Sequence, residues 1–174
     1  MMNAKEYEES LRKLNLSAYM FGEKIENPVD HPIIRPSMNA VSKTYELAHQ
    51  PEHEDLMTAV SHLSGEKINR FTHIHQSVQD LVKKTKMGRL LGAHTGCCFQ
   101  RCVGMDSLNA LSIVTHDIDA KHGTGYEDRF LKYLGYVQEN DLTCDGAMTD
   151  PKGDRSLAPP PAAGPGHVRA RGRG

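Results

Sequence analysis

Cys98 and Cys102, in the run Cys97-Cys98-Phe99-Gln100-Arg101-Cys102, stand four residues apart. On a helix that spacing puts two side chains on one face, with a rise of about 6 Å between them. Two sulfurs so placed can reach one metal ion or one edge of a metal cluster. Cys97 is turned about 100° away from Cys98 and is the weaker ligand. Arg101, together with the positive end of a helix starting nearby, would favour the thiolates that bind metals. Free cysteines are also common core residues. Two thiolates are fewer than the four ligands of a closed zinc or iron–sulfur site, so further ligands must come from far along the chain or from outside it.

A second candidate is the loop Met148-Thr149-Asp150-Pro151-Lys152-Gly153-Asp154-Arg155. Gly153 allows close backbone approach, Thr149 offers a hydroxyl, and Lys152 and Arg155 offer cations, a set that suits a pyrophosphate or a flavin edge. It is neither a P-loop nor a dinucleotide fingerprint, and an ordinary charged surface turn has the same composition. A third is His73-Ile74-His75, which in a strand would place both imidazoles on one side. With ten histidines in the chain, chance adjacency accounts for that pair, and no role is assigned to it.

The elements that must position these groups are mostly helical. Asn3 can cap a first helix with the stripe Tyr7, Leu11 and Leu14. An extended stretch from Tyr19 to Pro36 follows, broken by Gly22, Pro28, Pro32 and Pro36, and Ser37 is expected to cap a second helix carrying Val41, Tyr45 and Ala48. Residues 63–67, Leu-Ser-Gly-Glu-Lys, read as a turn between short strands. Three longer helices are expected between residues 77 and 140. The first holds Val78, Leu81, Val82, Met87 and Leu90, and breaks near Gly96. The second runs from about Cys98 to Lys121. The third runs from Tyr126 to about Asn140, with Phe130, Tyr133, Leu134 and Val137 on one face. Hairpins of this length pack as a bundle.

The 174 residues carry 21 Lys and Arg against 22 Asp and Glu, a net charge of −1, so no global electrostatic case for nucleic acid exists. No stretch approaches the ~20 apolar residues of a membrane helix. The charged start, MMNAKEYEESLRKLN, has no apolar core of a secretory signal. Four cysteines in such a chain point to a reducing compartment, and a cytoplasmic protein with no membrane partner is expected. From Ala158 the composition shifts to four Pro, four Gly, four Ala and three Arg. Residues 159–174 are therefore expected to be a disordered tail not native to the parent protein, as after a shift of reading frame.

Five stretches carry a resemblance: GEKIENPVDHPIIRPS (22–37), LSGEKINRF (63–71), DLVKKTKMGRLLG (80–92), CFQRCVGMDSLNAL (98–111) and YVQENDLTCDGAMTDPKGDRS (136–156). Together they resemble the 4-hydroxybutyryl-CoA dehydratase branch of the 4-hydroxyphenylacetate 3-hydroxylase family, from residue 4 to about 158. CFQRC marks the dehydratase branch, and TDPKGDR is shared with the flavin hydroxylases.

The resemblance implies a mainly α fold: the N-terminal helical domain (1–140) of an acyl-CoA-dehydrogenase-like protein, followed at 141–158 by the start of a β-domain. It implies two cofactors, FAD and a [4Fe–4S] cluster held by three Cys and one His. Cys98 and Cys102 match the first two Cys, Met148–Arg155 matches the first flavin-binding segment, and Gln100 matches a catalytic residue facing cluster and substrate. The remaining ligands and the acid/base groups match nothing in this chain. The implied substrate is an acyl-CoA, 4-hydroxybutyryl-CoA, converted to crotonyl-CoA by a radical route (with isomerisation of vinylacetyl-CoA) in a homotetramer. A chain with half the cluster ligands is expected to be inactive alone. Two other readings remain: a flavin-dependent aromatic hydroxylase, which has no need for the cysteine pair, and a non-catalytic helical interaction module.

Overall fold

Asn3 opens the chain's first helix, α1 (Ala4–Arg12), with a reciprocal cap: its side chain accepts from the Glu6 N–H while the Glu6 carboxylate accepts from the Asn3 N–H. The computed structural model describes residues 1–146. After α1 come a two-stranded antiparallel ribbon, β1 (Ala18–Met20) with β2 (Glu23–Ile25), then α2 (Arg35–Leu47) and the single turn α3 (Glu54–Met57). A second antiparallel ribbon pairs β3 (Thr58–Val60) with β4 (Lys67–Asn69), and a short 3-10 turn follows at Arg70–Thr72. Three long helices complete the described residues: α4 (Val78–Thr95), α5 (Cys102–His122) and α6 (Tyr126–Glu139). The mainly α class expected from the residues is what the chain adopts.

The local reasons are legible. Gly65 takes φ +74 in the turn between β3 and β4, a left-handed conformation that glycine adopts without steric cost. Ser77 caps α4, accepting from the Asp80 N–H, and Gly96 closes the helix at φ +63. At α2 the expectation fails: Ile34 occupies the cap with no side-chain bond, and Pro36 lies in the first turn. Proline there forfeits nothing, because the first N–H groups of a helix have no partner inside it. The helix therefore starts ahead of Ser37.

Three clusters form the interior. Tyr7, Val29, Met38, Val41 and Tyr45 join α1 to α2. Leu47, Met57, Phe71, Met87, Leu91 and Met105 join α2, α4 and the first turn of α5 around the 3-10 turn. Ile74, Leu108, Phe130, Leu134 and Val137 join α5 to α6. The stripe on α4 is shorter than expected. Met87 and Leu91 are fully buried, but Val78, Leu81 and Val82 are exposed, because no described element covers that face of the helix. Leu14, past the end of α1, is exposed as well, and so is Tyr133 on α6.

Candidate functional site

Gly96 ends α4, and the chain crosses to α5 through Cys97, Cys98, Phe99, Gln100 and Arg101 without helical structure. Cys102 is the first residue of α5. The single helix expected from Cys98 onward is thus corrected: Cys98 lies in the loop, Cys102 on the helix. The two sulfurs nonetheless meet, with Sγ–Sγ 3.7 Å. The loop brings them closer than the helical rise alone would. Gln100 makes the reversal, at φ +63, and its N–H points back to Cys98 Sγ at 3.4 Å. Cys98 is exposed and Cys102 half-buried. Cys97 faces another way, its Sγ 3.5 Å from the Cys98 carbonyl.

Electrostatics at the pair run both ways. Burial, then the neighbouring Cys98, push the Cys102 thiol up, while backbone N–H groups at Cys102 and Val103 oppose the rise. The Cys102 thiol therefore resists ionising beside Cys98. Cys98 and Cys102 would hold a soft metal ion as thiolates, giving up their protons on binding. Neighbouring sulfurs, an N–H aimed at one of them and a helix start at the other make a donor set that fits one edge of a soft metal site. Among the described residues, no group of three or more His, Cys, Asp or Glu could hold a metal.

Arg101 does not sit over the thiolates as expected. Its side chain turns into the interior and is 1% exposed. The guanidinium carbon lies 4.4 Å from the ring centroids of both Tyr45 and Phe71, and Nη1 donates to Thr44 Oγ1 at 3.0 Å. Sequence reasoning missed this, because arginine between two cysteines reads as a local charge.

It also missed Gly104. A Cβ there would stand 1.9 Å from the Cys144 carbonyl oxygen, and one at Gly146 would stand 2.5 Å from a Val103 methyl. A glycine one turn into a helix was the available signal. These contacts lay Cys144 and Gly146 directly against the turn of α5 that carries Cys102. The flavin-segment candidates Met148, Thr149, Asp150, Pro151, Lys152, Gly153, Asp154 and Arg155 lie outside the described residues, as does the tail 159–174.

The histidine pair has other employment. It follows the 3-10 turn in irregular chain, not in a strand. His73 is buried with Nε2 3.3 Å from Asp80 Oδ1, and the rings of His73 and His75 are 6.4 Å apart. Arg70 shares Asp80 and also donates to the carbonyls of Asp55, Leu56 and Thr58. Burial pushes both imidazoles down from their ordinary value, which favours their neutral forms. Burial would raise Asp80, but the Gln76 N–H, the Ser77 hydroxyl and His73 outweigh it and hold its pKa at about 2.

Residues 3–170 match the model of the 4-hydroxyphenylacetate 3-hydroxylase N-terminal domain. The chain belongs to this family. That match runs past residue 158, where the motif resemblance ends. Among relatives, the chain is 64% identical over 159 residues to the 4-hydroxybutyryl-CoA dehydratase/vinylacetyl-CoA Δ-isomerase of Clostridium aminobutyricum, covering 91% of this chain and 32% of that protein. It is 25% identical over 154 residues to the oxygenase component of 4-hydroxyphenylacetate 3-monooxygenase from Thermus thermophilus, covering 88% of this chain and 31% of that one. The structure matches that of an oxygen-tolerant archaeal 4-hydroxybutyryl-CoA dehydratase from N. maritimus with TM-score 0.82 and 54% identity, over 90% of this chain and 31% of that chain. An oxygenase component complexed with FAD and 4-hydroxyphenylacetate shares the fold at TM-score 0.69 and 23% identity, over 91% of this chain and 32% of that one. The chain spans about a third of the length of these relatives. No described helix is long and apolar enough to cross a membrane.

Proposed function

We propose that this chain forms the N-terminal part of a family member that dehydrates 4-hydroxybutyryl-CoA to crotonyl-CoA and isomerises vinylacetyl-CoA. The observation that carries the reading is the meeting of Cys98 and Cys102 sulfurs at 3.7 Å, in a chain 64% identical to such a dehydratase. Cys98 and Cys102 would hold one side of a [4Fe–4S] cluster, and Met148–Arg155 would contact FAD. When bound, the cluster supplies a Lewis acid for the substrate hydroxyl and the flavin supplies reversible one-electron chemistry.

This chain's residues do the holding. Cys98 and Cys102 give up their protons to become anionic ligands. The Gln100 N–H points at the Cys98 sulfur, and its exposed carboxamide supplies a neutral hydrogen-bonding group beside the pair. Cys144 and Gly146 pack on the first turn of α5, and the flavin segment follows them closely in sequence. An acyl-CoA substrate, a homotetramer and a cytoplasmic location belong to the same reading, and with two of four cluster ligands the chain alone is inactive.

The decisive measurement uses the full-length protein carrying this N-terminus, purified anaerobically. Iron and sulfide content, flavin absorbance and conversion of 4-hydroxybutyryl-CoA are followed together. Four irons, bound flavin and crotonyl-CoA support the reading. An iron-free protein that instead hydroxylates a phenol with reduced flavin and oxygen establishes the hydroxylase alternative. A chain that folds and is monodisperse, in a parent that binds neither cofactor, establishes the helical module.

A further inference from the structure

The cysteine pair is assembled by a loop, and something must hold that loop in its strained form. Gln100 is a non-glycine residue at φ +63, a conformation that persists only where the surroundings over-determine it. Its neighbour on one side, Phe99, packs at 5.6 Å on Phe71. Its neighbour on the other, Arg101, is gripped between Tyr45 of α2 and Phe71 of the 3-10 turn, both at 4.4 Å.

Stability is a poor explanation for an arginine in that slot. The guanidinium is buried with one side-chain hydrogen bond, to Thr44. Its Nε and Nη2 have no partner among the described residues, and neither does Oδ1 of the buried Asp141, whose charge it feels. Stacking on two rings offsets part of the cost of burying the charge, but apolar residues of similar volume commonly serve stability as well or better. What arginine offers and methionine does not is a flat, rigid group that lies over two rings while one of its N–H groups donates to a hydroxyl. That fixes where residue 101 sits and in which rotation, and therefore where its neighbours' sulfurs sit.

We propose that Arg101 is a positioning residue for the metal-ligating pair: the Tyr45–Arg101–Phe71 stack holds the 98–102 loop so that Cys98 and Cys102 present both sulfurs to one acceptor. The inference rests on the proposed ligand role of these cysteines, and its test reads thiol geometry without iron. Phenylarsine oxide binds two nearby thiols through its arsenic, both thiol protons leaving with the oxide oxygen as water, and one thiol holds it far more weakly. In the 174-residue chain with Cys97→Ser, to remove the adjacent competitor, tight binding lost on Cys98→Ser identifies the pair.

Arg101→Met is expected to melt at or above the parent temperature while binding the arsenical about 10- to 100-fold more weakly, the range found when a group orienting a ligand is removed. Arg101→Lys, which keeps the charge and loses the plate, is expected not to restore binding. A folded Arg101→Met chain with parental affinity overturns the proposal, and so does a parent whose binding ignores Cys98→Ser. If Arg101→Met does not fold, Phe71→Leu, which removes one face of the stack, takes its place: weaker binding supports the proposal and unchanged binding overturns it. Loss of folding in both variants also overturns it, by making the stack a stability device. Iron uptake by the full-length parent separates the two readings. A parent that binds arsenic through the pair but takes up no iron defeats the cluster and leaves Arg101's role standing; normal iron with an Arg101-insensitive pair does the reverse.

Discussion

The chain carries two candidate ligand pairs, and the fold treats them oppositely. Cys98 and Cys102 reach the surface with their sulfurs 3.7 Å apart. His73 and His75 set their rings edge to face, 6.4 Å between centroids, with His73 turned inward onto Asp80. Both pairs are close in sequence and both are chemically able to bind metal. The difference lies in what else claims the donors. Asp80 serves Ser77, Gln76, His73 and Arg70 together, so His73 is part of the structure that ends the 3-10 turn and starts α4, while His75 is tied there by its backbone N–H, which donates to Asn109. Among the described residues only weak contacts claim the sulfurs of Cys98 and Cys102, at 3.4 Å or longer.

The comparison breaks most sharply at the cysteines. In the full-length protein, Cys98→Ala or Cys102→Ala is expected to abolish iron, sulfide and dehydratase activity, because neutral Gln100 and the turned-away Cys97 cannot replace an anionic ligand. His73→Phe is expected to leave iron content unchanged. A Cys98→Ala protein with normal iron would remove the cysteines from the site.

Next in size is Gly104→Ala. The added methyl would collide with the Cys144 carbonyl, so residues 142–146 must lift from α5 at a cost of about 3 kcal/mol, the upper end for overpacking. Thermal or urea unfolding measures it. A variant as stable as the parent would show that this contact is loose.

The histidine side of the comparison is sharpened by pH. His73 and His75 lie below the ordinary value of 6.5, so their contribution to stability is present above pH 6.5 and is lost as pH falls beneath it, when the unfolded chain takes up protons first. Asp80, held at about 2 against an ordinary 3.8, contributes above pH 3.8 and loses that contribution as pH falls toward 2. Asp80→Asn is expected to cost roughly 2 kcal/mol at neutral pH, to flatten the acid limb of the stability profile and to leave iron content unaltered. A profile as steep as the parent's would remove Asp80 from the acid response.

The smallest effect is expected on the far half of α5. Leu111, Ile113 and Val114 are exposed there, so Leu111→Gln should change the stability of this chain by less than about 0.5 kcal/mol. A loss of 2 kcal/mol or more, measured by urea unfolding, would mean that this face is already covered.

Much of the helix pattern was legible, and the failures are informative. Val41, Tyr45, Ala48, Phe130, Leu134 and Val137 are buried as their spacing predicts, since helical period alone selects one face. Val78, Leu81 and Val82 have the same kind of spacing and stay exposed. A period says which residues share a face, and it cannot say whether another element will cover that face.

The site divides in the same way. Residue types and spacing singled out Cys98 and Cys102 as two sulfurs able to come together, and Gly96 as the end of the helix before them. These follow from covalent connectivity and local steric preference, which travel with the chain. Tertiary structure alone decided that the sulfurs meet across a left-handed Gln100 instead of along a helix, that Arg101 is clamped by Tyr45 and Phe71 from distant elements, and that Asp80 takes His73. Each of these depends on groups far apart in sequence competing for the same donors and the same space, and that competition is settled only when the chain is packed.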